Sequence, residues 1–206
     1  MGAQEGGRVL SRASKFQQGV TLIELMITLT VMAIAFGLGV PAFSTWIQNS
    51  QIRTAAESMQ SGMQLARAEG LRSNATVRFQ LTTTTDANCA LSSSGTNWVI
   101  SVNDATGKCD VTDATVDPFM TRFKASAEGT KNVTVAATQS SISFNGLGRV
   151  TPAPTSAITI DLKNPAGGTC VAAGGNMRCL QLQVGGAGQV RMCDPAVTAA
   201  SDPRKC

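Results

Sequence analysis

Glu24 is the only charged residue between Lys15 and Arg53, and it sits inside an almost wholly apolar stretch. A carboxylate placed against lipid costs about 3 kcal/mol on insertion scales, so such a residue is by default functional. Thr21-Leu-Ile-Glu24 also fits a capping box, and an acid in a first helical turn suits the helix dipole. A cap alone would be met by a polar residue cheaper to place beside lipid, so a functional role ranks above capping; the two are compatible. Elsewhere the chemistry is thin. With no histidine and no tyrosine in 206 residues, a Ser-His-Asp triad, a Cys-His pair, an HExxH zinc site and a haem histidine are all excluded. No nucleophile–base pair or acid pair stands out, so neither an enzyme nor a cofactor is expected. All six cysteines, Cys89, Cys109, Cys170, Cys179, Cys193 and Cys206, lie in the C-terminal part. An even set confined to one region points to disulfides made in an oxidising compartment. Without C-x-x-C pairs or histidine, no metal site is expected.

The element that must carry Glu24 is a long helix. Val20 to Phe43 is a run of 24 residues, which as a helix spans about 36 Å, enough for a hydrocarbon core of about 30 Å. Arg8, Arg12 and Lys15 precede it against one acid, Glu5, so the leading flank should stay cytoplasmic and the remainder lie outside. The run is too long for a cleavable signal peptide. Gly37, Gly39 and Pro41 disfavour helix by roughly 5 kcal/mol in water, which predicts a bend or local unwinding there. Beyond it, Ile52, Ala56, Met59, Met63, Ala66 and Gly70 recur at helical spacing, predicting an amphipathic second half over 44–73 with one face docked on a core. From 74 onward the chain reads as short strands with turn punctuation: Val77–Leu81, Trp98–Asn103, Val133–Ala137, Ile142–Phe144, Ile158–Leu162, Cys179–Val184 and Val190–Cys193. Together these predict an α+β fold, an antiparallel β domain wrapped on the back half of one helix. The net charge of +4 is a weak footprint for a dedicated nucleic-acid binder.

The stretch KFQQGVTLIELMITLTVMAIAFGLGVPAF resembles the class III leader and N-terminal helix of type IV pilins and type II secretion pseudopilins. QLARAEGLRSNATVRFQL, SISFNGLGRVT and GQVRMCDPAVTAASDPRKC resemble blocks of the GspH/FimT family of minor pilins and pseudopilins. The resemblance implies the type IV pilin fold and a leader over 1–19. It further implies cleavage between Gly19 and Val20 by a prepilin peptidase, methylation of Val20, and Glu24 as the assembly glutamate. Val20 departs mildly from the family's usual Phe. The implied partners are the peptidase, the inner membrane, and other major and minor pilins or pseudopilins meeting it through the N-terminal helix. The implied location is a single-pass inner-membrane protein with a periplasmic domain, later part of a periplasmic or surface filament. Pairing Glu24 with the amine of a neighbouring Val20 would offset its desolvation and fix the axial register between subunits.

Six cysteines allow fifteen pairings. Closeness along the chain favours Cys193–Cys206, Cys170–Cys179 and Cys89–Cys109, and the resemblance supports only the first. FimT-like pilins of transformable bacteria carry a DNA-contacting Gly-Arg-x-Arg. Here Gly188, Gln189, Val190 and Arg191 stand at that place, so one arginine of the pattern is missing. Arg178, Arg204 and Lys205 could extend a basic patch, interrupted by Asp194 and Asp202. Aromatic stacking partners are scarce, and these bases are read as surface arginines ahead of a DNA site. The expectation is a minor pilin acting in pilus assembly or initiation and serving twitching motility, with DNA as a partner not favoured. A GspH-like pseudopilin of type II secretion and a DNA-receptor pilin are the alternatives.

Overall fold

The computed structural model describes residues 19–126 and 128–206, with the side chains of 38–42 outside that description. The expected leader, Gly19 apart, lies outside the described residues. The chain separates into two compact units, one ending at Pro41 and one running from Ala42 to Cys206.

A single helix, α1 (Leu22–Ser73), is assigned across 52 residues. It starts where Thr21 accepts the Glu24 N–H at 3.3 Å through its hydroxyl and the Leu25 N–H at 3.1 Å through its carbonyl, an N-cap. Gly37, Gly39 and Pro41, where a bend or local unwinding is expected, carry helical backbone. Proline forfeits only its own N–H, whose acceptor would be the Gly37 carbonyl, and a glycine at that place leaves the backbone room to adjust. At its other end Asn74 adopts a left-handed φ of 49° and the Ala75 N–H reaches back to the Gly70 carbonyl at 3.3 Å. This is a Schellman ending.

In the first unit the apolar side chains from Leu22 to Phe36 are exposed on every side of the helix. Such a surface calls for lipid or other helices. Among the described residues no helix is long and apolar enough to cross a membrane. The expected span, 20–43, runs through 38–42, whose side chains lie outside the described residues.

In the second unit, eight strands form two four-stranded antiparallel sheets. They are β1 (Val77–Thr82), β2 (Asn97–Ser101), β3 (Met120–Lys124), β4 (Thr134–Ala137), β5 (Ser141–Phe144), β6 (Ile158–Lys163), β7 (Leu180–Val184) and β8 (Val190–Cys193). One sheet runs β3-β2-β1-β5 and the other β4-β6-β7-β8. The stripe on α1 faces both: Ile52, Ala56, Met59, Met63 and Ala66 are buried with Phe79, Ile100 and Phe144 of the first sheet and Ile160, Leu162 and Leu182 of the second. Each large side chain in this core contributes about 1.5–3 kcal/mol of transfer free energy. Gly62, also inward, lets the helix close on the Phe79 and Trp98 rings, whose centroids lie 5.5 Å apart.

The first sheet is covered on its outer side as well, which makes all five residues of β2 buried instead of alternating. Loops on either side of β2 fold over it around the Cys89–Cys109 disulfide, making a small second core with Val99, Ala105 and Met120. Buried Gln80 ties that cover down, donating to Ser101 Oγ at 2.7 Å and accepting the Ala105 N–H at 3.3 Å. Strand β3 has no counterpart in the sequence reading. It is an edge strand with Thr121, Arg122 and Phe123 exposed, so it lacks the apolar alternation that marks a strand buried on one face.

Candidate functional site

Three groups of residues bear on function, and the fold treats each differently. At the head of α1, Gly19 and Val20 precede the helix, and Val20 is 71% exposed. Thr21 caps the helix through the Glu24 backbone N–H. The reciprocal half of a capping box, a bond donated by the Thr21 N–H to the Glu24 carboxylate, does not form. Among the described residues the Glu24 side chain has no hydrogen-bond or ionic partner. The cap is thus met by threonine alone, and the carboxylate is left free beside the exposed apolar residues Leu22, Ile23, Leu25, Met26 and Ile27. The arrangement is fit for pairing with a cation brought by another molecule.

The cysteines form three disulfides: Cys89–Cys109, Cys170–Cys179 and Cys193–Cys206, with Cα separations of 6.1, 5.5 and 5.1 Å. No described cysteine is free, and among the described residues no cluster of His, Cys, Asp or Glu could hold a metal ion.

The basic residues near the C-terminus do not form one patch. Arg191 lies on β8 opposite Gln183 of β7 and donates to Gln183 Oε1 at 3.1 Å. Strand alternation puts it on the outer face, away from Leu182 and Met192. Gly188 is buried with φ of 77° in the β7–β8 turn, close against the Gly148 carbonyl, where a Cβ has no room. That glycine serves turn packing, and Gln189 beside it is exposed. Lys205 is exposed on the C-terminal loop.

Arg178 and Arg204, by contrast, meet at a cleft of about 470 Å³ between α1 and the β7–β8 edge. Trp46, Asn49, Ser50 and Arg53 form one wall; the other comprises Arg178, Leu180, Met192, Cys193, Asp194 and Arg204. The helix residues are spaced i, i+3, i+4, i+7, one face next to the core stripe. Arg178 is placed by its own N–H, which donates to Asn49 Oδ1 at 2.8 Å, and by the adjoining Cys170–Cys179 bond. Arg204 is placed by the Cys193–Cys206 bond and by its carbonyl, which accepts the Asp194 N–H at 2.7 Å. Its guanidinium also grips Asp202, at 2.7 Å to Oδ2 and 3.1 Å to Oδ1, holding that carboxyl down at about 2. Arg53 spends only Nε, on Glu57 at 2.8 Å. Arg53 and Trp46 were not singled out in the sequence. The signal available was their shared spacing just past the apolar run, off the Ile52–Gly70 stripe.

The family model described as Type II transport protein GspH matches residues 55–188, and the prokaryotic N-terminal methylation motif matches residues 14–40. Among solved structures, the type IV minor pilin FimU of Pseudomonas aeruginosa aligns at a TM-score of 0.48 and 14% identity, over 71% of this chain and 91% of that one. The solution structure of E. coli GspH aligns at 0.41 and 14%, over 77% and 94%. No curated protein matches the sequence. The GspH model covers most of the helix's buried stripe and all but the last strand, and the methylation motif covers the head of that helix; the chain belongs to the GspH family of pilin-type subunits.

Proposed function

We propose that the chain is a minor pilin of a type IV pilus. Prepilin peptidase cuts it between Gly19 and Val20 and methylates the new terminus. The helix over 20–43 holds it in the inner membrane with the domain over 74–206 in the periplasm. Glu24 then draws it into the growing filament, pairing with the Val20 amine of a neighbour. The observation that carries this reading is the Glu24 carboxylate, unspent on its own cap and the one charge in the stretch from Val20 to Phe43. Left unpaired in lipid it costs about 3 kcal/mol, and a cation from the adjacent subunit removes much of that cost only when the two helices are in register.

The test is Glu24→Ala in the native host. The variant should enter the membrane and lose its leader, yet be absent from sheared filaments by immunoblot. Incorporation at the unmodified level would refute the assembly role. A pseudopilin of a type II secretion system is the second reading, favoured by the family model's description. Deletion that blocks enzyme export and spares twitching and transformation would select it.

A further inference from the structure

We infer that the cleft between α1 and the β7–β8 edge binds the phosphate headgroup of an anionic phospholipid from the bilayer in which the helix is anchored. This rests on the reading of 20–43 as a membrane span. The cleft presents guanidinium groups from three separate places in the fold, Arg53, Arg178 and Arg204. Arg178 has no ion pair among the described residues, Arg53 keeps both terminal nitrogens free, and Arg204 keeps one. The single acid lining the cleft, Asp194, is buried with its carboxylate accepting the Ala196 N–H at 2.9 Å, and it makes no ion pair among the described residues. Glu57 and Asp202 each engage one of these arginines, so Arg178 is the cation without an ion pair among the described residues, and the unused N–H groups of Arg53 and Arg204 add donors beside it. Planar guanidinium forks match phosphate oxygens in pairs.

The rest of the lining suits a lipid. Met192 and Leu180 add apolar lining, and Trp46, also in the lining, is 65% exposed and stacked on Phe43 at 5.8 Å. Exposed aromatic rings at the end of an apolar run are the signature of a membrane interface. Trp46 lies three residues past Phe43, the last residue of that run. At most about 3.5 Å per residue separates them, so Trp46 stays within reach of the headgroup layer. About 470 Å³ accommodates a glycerophosphate headgroup. A soluble phosphate offers the same oxygens but nothing for exposed Trp46 or the apolar lining, which favours the lipid as the source.

The experiment uses the full chain reconstituted in nanodiscs of equimolar phosphatidylcholine and phosphatidylglycerol, with lipids retained on the protein counted by native mass spectrometry. Phosphatidylglycerol should be retained preferentially. The preference should fall about fivefold in Arg178→Gln and further in Arg53→Gln/Arg204→Gln, while Arg191→Gln, on the outer sheet face, leaves it unchanged. Equal retention of both lipids would overturn the assignment, as would an equal loss in Arg191→Gln. Displacement of phosphatidylglycerol by inorganic phosphate at the same concentration would overturn it in favour of the free anion. A preference that vanishes on dimer formation would overturn it in favour of a second copy. Flotation with liposomes separates the two failures: a chain that does not float refutes the membrane anchor, whereas one that floats without lipid preference refutes the cleft alone.

Discussion

Replacing Gly62 with alanine sets two effects of opposite sign against each other in the middle of α1. Helix propensity alone favours alanine by about 1 kcal/mol. The new Cβ, however, would lie 2.9 Å from Phe79 Cε2 and 3.0 and 3.2 Å from Trp98 Cη2 and Cζ2, where carbon atoms prefer about 3.5–4.0 Å. Neither ring is free to give way. Phe79 is fully buried, Trp98 is 5% exposed, and the Trp98 indole N–H donates to Ser58 Oγ at 3.2 Å. Overpacking of this kind costs about 1–3 kcal/mol, so Gly62→Ala should lose about 1 kcal/mol net. Gly62→Val, with two more methyl groups and a poorer helix former, should lose roughly 3 kcal/mol. In thermal unfolding under oxidising conditions, followed by near-ultraviolet circular dichroism of the Phe79–Trp98 pair, alanine should lower Tm by about 2–4 °C. A rise in Tm in Gly62→Ala would mean that propensity dominates and that the helix does not approach the first sheet as closely as described.

Two further outcomes follow from the cover and the C-terminal loop. The double substitution Cys89→Ser/Cys109→Ser opens a loop of 20 residues and should cost about 3 kcal/mol, read as a lowered Tm. The Asp202 carboxyl is held below its ordinary value, at about 2, by the Arg204 guanidinium. Because the folded value is depressed, that pair's contribution is present above about pH 4 and is lost as pH falls through 2. Carboxyl-carbon NMR titration should find the low midpoint, and Arg204→Gln should return it toward the ordinary aspartate range.

Some of this protein is written in local sequence. The N-terminal helix is legible because 20–43 is apolar and Glu24 interrupts it, features that depend on no other part of the chain. The stripe from Ile52 to Gly70 announces its buried face because helical periodicity is local too, and seven strands are marked by apolar alternation and turn residues. Tertiary structure alone decided the rest. Strand β3 exists because β2 offers it an edge to pair with, since MTRFK has little apolar character of its own. Gln80 is buried because distant loops close over the first sheet. Arg178 and Arg191 look like neighbours in one basic tail, yet strand alternation and the turn at Gly188 send Arg191 to the outer face. Arg178 instead joins Arg53 and Arg204 in the cleft. Periodicity and hydropathy report what a residue prefers, whereas convergence of side chains from a helix and two disulfide-closed loops is fixed only when their shared core packs.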